Sequence, residues 1–151
     1  MLTRCDTKTV SDKDFSFHQT LENLPDKDTL FIEACIHHHC GGEWGGCLEW
    51  NKIYRQSNGY GLTFVNGMTV WNGDTIIDPK KTKSITKTLT DSDIKHVDEF
   101  LHQVSIFSDS LGLTSNGPND YVIKTKNYKK TIVQDYDQWP HYQRLTDKIY
   151  K

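Results

Sequence analysis

The chain is poor in the features that build membrane spans, fibres and disulfide scaffolds. Its 151 residues contain four prolines, two methionines and four cysteines. No apolar run approaches the roughly 18 residues a membrane-spanning helix needs. The opening residues, Met1-Leu2-Thr3-Arg4-Cys5, lack the apolar segment of a secretory signal. Glycine follows no period of three and no heptad pattern is sustained, which excludes collagen and coiled coil. There is no Cys-x-x-Cys pair and no second half of a zinc finger. The glycine-rich stretch from Gly41 to Gly46 is expected to lead into a strand, so it lacks the helix N-terminus that cradles phosphate.

What is present describes a packed domain. Four Trp, seven Tyr and six Phe supply core material that disordered chains lack. Mean hydropathy is −0.67, and the net charge is −2. That charge is uneven: residues 1–50 carry nine acids and four bases, a net of −5, against +1 for residues 51–100 and +2 for 101–151. This asymmetry can orient a partner but falls short of the strongly basic domain of a dedicated nucleic-acid binder. Without a leader the expected compartment is the cytoplasm, with reduced thiols; a removed leader would point to the periplasm or outside.

Residues 1–28 read as a polar arm with one short helix near Phe15–Leu21, ahead of a single α+β domain over 29–151. In that domain Ile32, Ala34 and Ile36 alternate with Phe31, Glu33, Cys35 and His37, which predicts a strand with one apolar face. Cys40 to Cys47 reads as a loop. Leu48, Trp50 and Tyr54 then alternate with Glu49 and Asn51 as a second strand. Asn58-Gly59, Asn66-Gly67 and Asn72-Gly73 mark three turns, the first two as type I′ hairpins. The expected product is an antiparallel meander over residues 29–77, followed by a polar crossing at Asp78–Lys81.

Thr90 followed by Asp93 signals a helix start. Ile94, Val97, Leu101 and Val104 form its apolar stripe, Phe100 and Phe107 widen it, and Gly112 is the expected stop. A second hairpin turns near Asn127. A C-terminal helix follows with Pro140 in its first turn and Tyr142, Leu145 and Ile149 facing inward.

Two constellations could carry function. Cys35, His37 and His39 fall on one face of the first strand, and Cys47 or Glu49 from the returning strand would complete a tetrahedral zinc site. The other is Glu43, Trp44, Glu49 and Trp50, an acidic and aromatic surface of the kind that forms protein-binding hot spots. Cys40 and Cys47 bracket the glycine loop and would pin it if oxidised. Asp98, Glu99 and His102 read as a solvated helix face, and Asp135 and Asp137 as capping acids. Lysines at 80, 81, 83 and 87, and at 124, 126, 129 and 130 around Tyr128, offer two readings: single-stranded nucleic acid with bases stacked on rings, or guards of exposed strand edges. The edge reading is the expected one, and nucleic acid is not an expected partner. No assembled catalytic set is visible. The expected function is therefore a small non-enzymatic module binding another, basic protein, as an inhibitor or immunity-type protein does. A cofactor is not expected; the alternative is a zinc-binding protein or metal-dependent enzyme built on the Cys35 strand.

Overall fold

The computed structural model describes residues 20–24, 29–36, 45–70, 75–76, 84–107, 119–134 and 139–150. They form one antiparallel sheet with two helices on one face, the α+β arrangement expected. The strands are β1 (Thr29–Ile36), β2 (Gly45–Gln56), β3 (Gly59–Val70), β4 (Thr75–Ile76), β5 (Ser84–Thr88), β6 (Asn119–Lys124) and β7 (Lys129–Gln134). The helices are α1 (Asp91–Ile106) and α2 (His141–Ile149). Sheet order is β4-β3-β2-β1-β6-β7, and β5 joins the outer edge of β3 beside β4. No helix among the described residues is long and apolar enough to cross a membrane.

The inner face is set by alternation. On β1, Leu30, Ile32 and Ala34 are buried, and the register places them beside Ile53, Asn51 and Glu49 of β2 and Ile123 and Tyr121 of β6. Val97, Phe100, Leu101 and Val104 of α1 and Tyr142, Leu145 and Ile149 of α2 close over this face. Burying each large aliphatic side chain contributes roughly 1.5–3 kcal/mol. Trp139 binds the helix layer together: its ring lies 5.1 Å from Tyr121, 5.8 Å from Phe100 and 6.1 Å from Phe107, centre to centre. Leu21 and Leu24 also enter this core, and the Leu21 amide donates to Asp98 Oδ1 at 2.9 Å. Asp98 is thus a backbone anchor rather than part of a solvated face, whereas Glu99 and His102 are exposed.

The start of α1 follows its sequence signature. Thr90 accepts from the Asp93 amide at 3.1 Å, and Asp93 accepts from the Thr90 amide at 2.9 Å, a complete capping box. The helix stops at Ile106, well before Gly112, because Phe107 turns to extended backbone and its carbonyl takes the buried Lys130 ammonium at 3.1 Å. Pro140 stands at the N-cap of α2. A second clamp joins β5 to both helices. Lys87 Nζ lies 3.0 Å from Asp93 Oδ2 and donates at 3.0 Å to the Ile149 carbonyl at the end of α2.

Several local expectations are corrected. The β2–β3 hairpin exists, but Gln56 pairs with Gly59, so Ser57 and Asn58 are the turn residues and Gly59 alone among the described residues has positive φ, at +119°. It is not a type I′ turn. Asn66-Gly67 does not turn: β3 runs straight through it, opposite Glu49 and Leu48 on the long β2 strand. Gly45 to Cys47 belong to β2 rather than to a loop. The polar crossing expected at Asp78–Lys81 lies outside the described residues, and strand β5 after it was not expected. Asn72-Gly73, Phe15–His18, Cys40, Asp135, Asp137 and Lys80, Lys81 and Lys83 lie outside the described residues.

Candidate partner-binding cleft

The decisive surprise is which residues of β2 face the helices. Cross-strand pairing puts Glu49 beside Ala34, Asn51 beside Ile32 and Ile53 beside Leu30, all on the inner face. Leu48, Trp50 and Tyr54 occupy the alternate positions. A carboxylate and an amide therefore stand where two aliphatic side chains would normally sit. Burying them without partners would cost several kcal/mol.

The partners come from the far end of the chain. Tyr142 of α2 donates to Glu49 Oε2 at 2.7 Å and accepts from Asn51 Nδ2 at 2.9 Å. Tyr150, just after α2, donates to Asn51 Oδ1, and Asn66 Nδ2 of β3 donates to Glu49 Oε1 at 3.4 Å. Asn51 Nδ2 also reaches the Ile32 carbonyl at 3.4 Å. Burial drives the Tyr142 hydroxyl well above the ordinary tyrosine value, and the charge and hydrogen bond of Glu49 push it the same way. Burial, then the Glu49 charge, also raises Tyr150. Both hydroxyls stay protonated at neutral pH. They serve as fixed donors around an acid, not as bases or nucleophiles.

Glu49 opens onto a cleft of about 390 Å³ between β3, β5 and α2. Phe64 and Tyr150, with ring centres 4.6 Å apart, make one wall and Ile85 another. Asn66, Thr146 and Asp147 add polar atoms to its lining. Among the described residues no cationic side chain forms an ion pair with Glu49. The site is a negative, partly aromatic recess, a shape and charge that suit an ammonium or guanidinium group.

A second cleft of about 580 Å³ runs between the helices, with His96, Glu99, His141, Arg144 and Lys148 in its lining. Burial and the nearby Arg144 lower the His141 imidazole below its ordinary value. Its charges are of both signs.

The residues singled out from sequence are only partly brought together. Glu49 and Trp50 are consecutive on β2 and project to opposite faces, so no single surface holds both. Glu43 and Trp44 lie outside the described residues, as do His37 and His39. Cys35 sits on the open face between Leu48 and Asp120, and burial, then the Asp120 charge, raises its thiol. Cys47 pairs with Ile36, one step along the ladder from the Cys35–Leu48 pair. Among the described residues no cluster of three or more His, Cys, Asp and Glu could hold a metal ion.

Asn51, Asn66, Tyr142 and Tyr150 were not foreseen as site residues. One signal was available: Glu49-x-Asn51 on a strand, with a Tyr on the inward stripe of the last helix to satisfy it. No protein-family model, curated protein or solved structure matches the chain.

Proposed function

We propose that this chain is a non-enzymatic protein-binding module of the inhibitor or immunity type, and that its Glu49 cleft receives a lysine or arginine side chain of a basic partner. The observation that supports this is the state of Glu49. Its carboxylate is held in place by neutral donors, Tyr142 and Asn66, and its charge faces the recess. Preorganised acceptors need no reordering when a cation arrives, which favours affinity and slow release. Aromatic walls add attraction for a cation, and Asp147 at the lining adds a second negative charge. The net −5 of residues 1–50 would steer a basic protein from a distance.

The test is Glu49→Gln, which keeps an acceptor for Tyr142 and removes the charge. The immobilised chain is used to retain proteins from its source cells, and a carbodiimide then joins carboxylates to lysines in contact. The expected result is a basic protein cross-linked at Glu49 or Asp147 and bound at least about tenfold more weakly by Glu49→Gln. Equal retention by both forms would overturn the assignment of the cleft.

A further inference from the structure

The face of the sheet away from the helices carries a second pattern, independent of the Glu49 cleft. The registers of six strands align one continuous row: Thr86 of β5, Thr63 of β3, Lys52 of β2, Phe31 of β1, Lys124 of β6 and Lys129 of β7. The row holds three cations, two hydroxyls and one ring, and no carboxylate. At roughly 4.8 Å per strand it spans about 24 Å. Lys52 is exposed, and its ammonium and that of Lys124 each stand 5.9 Å from the centre of the Phe31 ring.

Two more rings lie diagonally on either side of Phe31. Trp50 pairs with Glu33 in one neighbouring row and Tyr54 with Thr29 in the other, and Phe31, Trp50 and Tyr54 are all half-buried. Diagonal neighbours on adjacent strands are roughly 7–8 Å apart. The Tyr54 ring rests on Gly61, where an added Cβ would come within 2.6 Å of it. The acid nearest the row, Glu33, is neutralised by Lys124 at 2.6 Å. Sequence order had grouped Lys124, Lys126, Lys129 and Lys130 as edge lysines. The fold separates them: Lys130 is buried toward α1, while Lys124 and Lys129 join Lys52 on the open face.

We propose that this open face binds single-stranded nucleic acid, with bases stacking on Trp50, Phe31 and Tyr54 and the phosphate backbone following the lysine row. An acidic polypeptide without aromatic side chains would use the lysines but leave the three spaced rings with nothing to stack on. A duplex would keep its bases stacked on one another and out of reach.

The experiment is fluorescence anisotropy of labelled oligo(dT) with the intact chain across a salt series. Phosphate contacts at Lys52 and Lys129, the two lysines of the row outside the Glu33 ion pair, predict a log–log salt slope of about −1.4. Joint substitution Lys52→Ala and Lys129→Ala should weaken binding about tenfold and flatten the slope to near zero. Phe31→Leu should weaken binding about tenfold and leave the slope unchanged, because it removes stacking alone. Thermal unfolding of each variant confirms that it is folded. Glu49→Gln should bind oligo(dT) like the parent chain, which separates this proposal from the cleft. Absence of salt-sensitive binding, affinity unmoved by both substitutions, or equal binding of polyglutamate or of duplex would each overturn it.

Discussion

The Tyr142 hydroxyl donates to Glu49 Oε2 at 2.7 Å across 93 positions of sequence, and that bond ties the last helix to the middle of the sheet. The same oxygen accepts from Asn51, so removing it strips a partner from two inner-face side chains at once. Tyr142→Phe should therefore cost about 1–3 kcal/mol in urea unfolding. Glu49→Gln preserves an acceptor and should cost under about 1 kcal/mol. An equal cost for the two would mean that the hydroxyl contributes little.

The same tyrosines set an alkaline limit. Their folded-state values lie above the ordinary tyrosine value of about 10, so the folded protein holds protons that the unfolded chain releases. The associated stability is complete below about pH 10 and is lost as pH rises toward the folded values. Unfolding free energy measured from pH 8 to 11 should fall at the top of that range, and less steeply in Tyr142→Phe.

Lys87 is a clamp between β5 and the two helices. Lys87→Met leaves the Ile149 carbonyl and Asp93 without their ammonium partner and should cost about 1 kcal/mol, since the side chain is partly exposed. Burial alone would raise the Asp93 carboxyl. The Thr90 amide, Lys87 and the Thr90 hydroxyl outweigh it and hold the group below its ordinary value. The stability it contributes is present above about pH 4 and is lost as pH falls through the lowered folded value. Asp93→Asn should flatten this acid limb of a stability–pH curve.

Leu21 and Asp98 test how firmly the segment before β1 is held. Leu21→Ala empties a core position and should cost about 2–4 kcal/mol. Burial, offset by the Leu21 amide and aided by Glu22, raises the Asp98 carboxyl. That preference stabilises the fold below about pH 4 and is lost as pH rises through the folded value. Asp98→Asn, which keeps the acceptor and drops the charge, should be near neutral at pH 7, while Asp98→Ala should speed exchange of the Leu21 amide. Hydrogen exchange read by NMR distinguishes the two.

Two glycines of the β2–β3 hairpin are required for different reasons. Gly59→Ala places a side chain at φ +119° and should cost about 1–3 kcal/mol. Gly61→Ala has an ordinary backbone but drives a methyl into the Tyr54 ring, with a similar cost and a visible shift of the Tyr54 resonances. Calorimetry of both variants checks the pair.

Much of the fold was legible where local chemistry decides it. The alternation of Ile32 and Ala34 with Phe31 and Glu33, the Thr90–Asp93 box and the Tyr142–Leu145–Ile149 stripe each specify their element without help from distant residues. The face assignment of β2 was not legible, because Leu48-x-Trp50 and Glu49-x-Asn51 both satisfy a period of two. Tyrosines some ninety residues away decide the matter by making the polar set tolerable inside. Asn66-Gly67 failed as a turn for a related reason: β2 is twelve residues long and offers β3 a continuous partner. The cleft was half legible. Glu49 was singled out, but its surroundings depend on α2 and β5, and the pairing of Phe64 with Ile85 cannot be read from either segment alone.

The distance between Glu49 and Tyr142 also bears on synthesis. A nascent chain can zip β1, β2 and β3 together as a local meander long before Tyr142 and Tyr150 have been made. During that interval the surface destined for the interior is not a uniform apolar sheet, since Glu49 and Asn51 keep water at its centre. That wet patch makes the half-built domain a poor template for aggregation, a hazard of exposed strands during folding. When α2 arrives, Glu49 and Asn51 become the side chains that hold it in place.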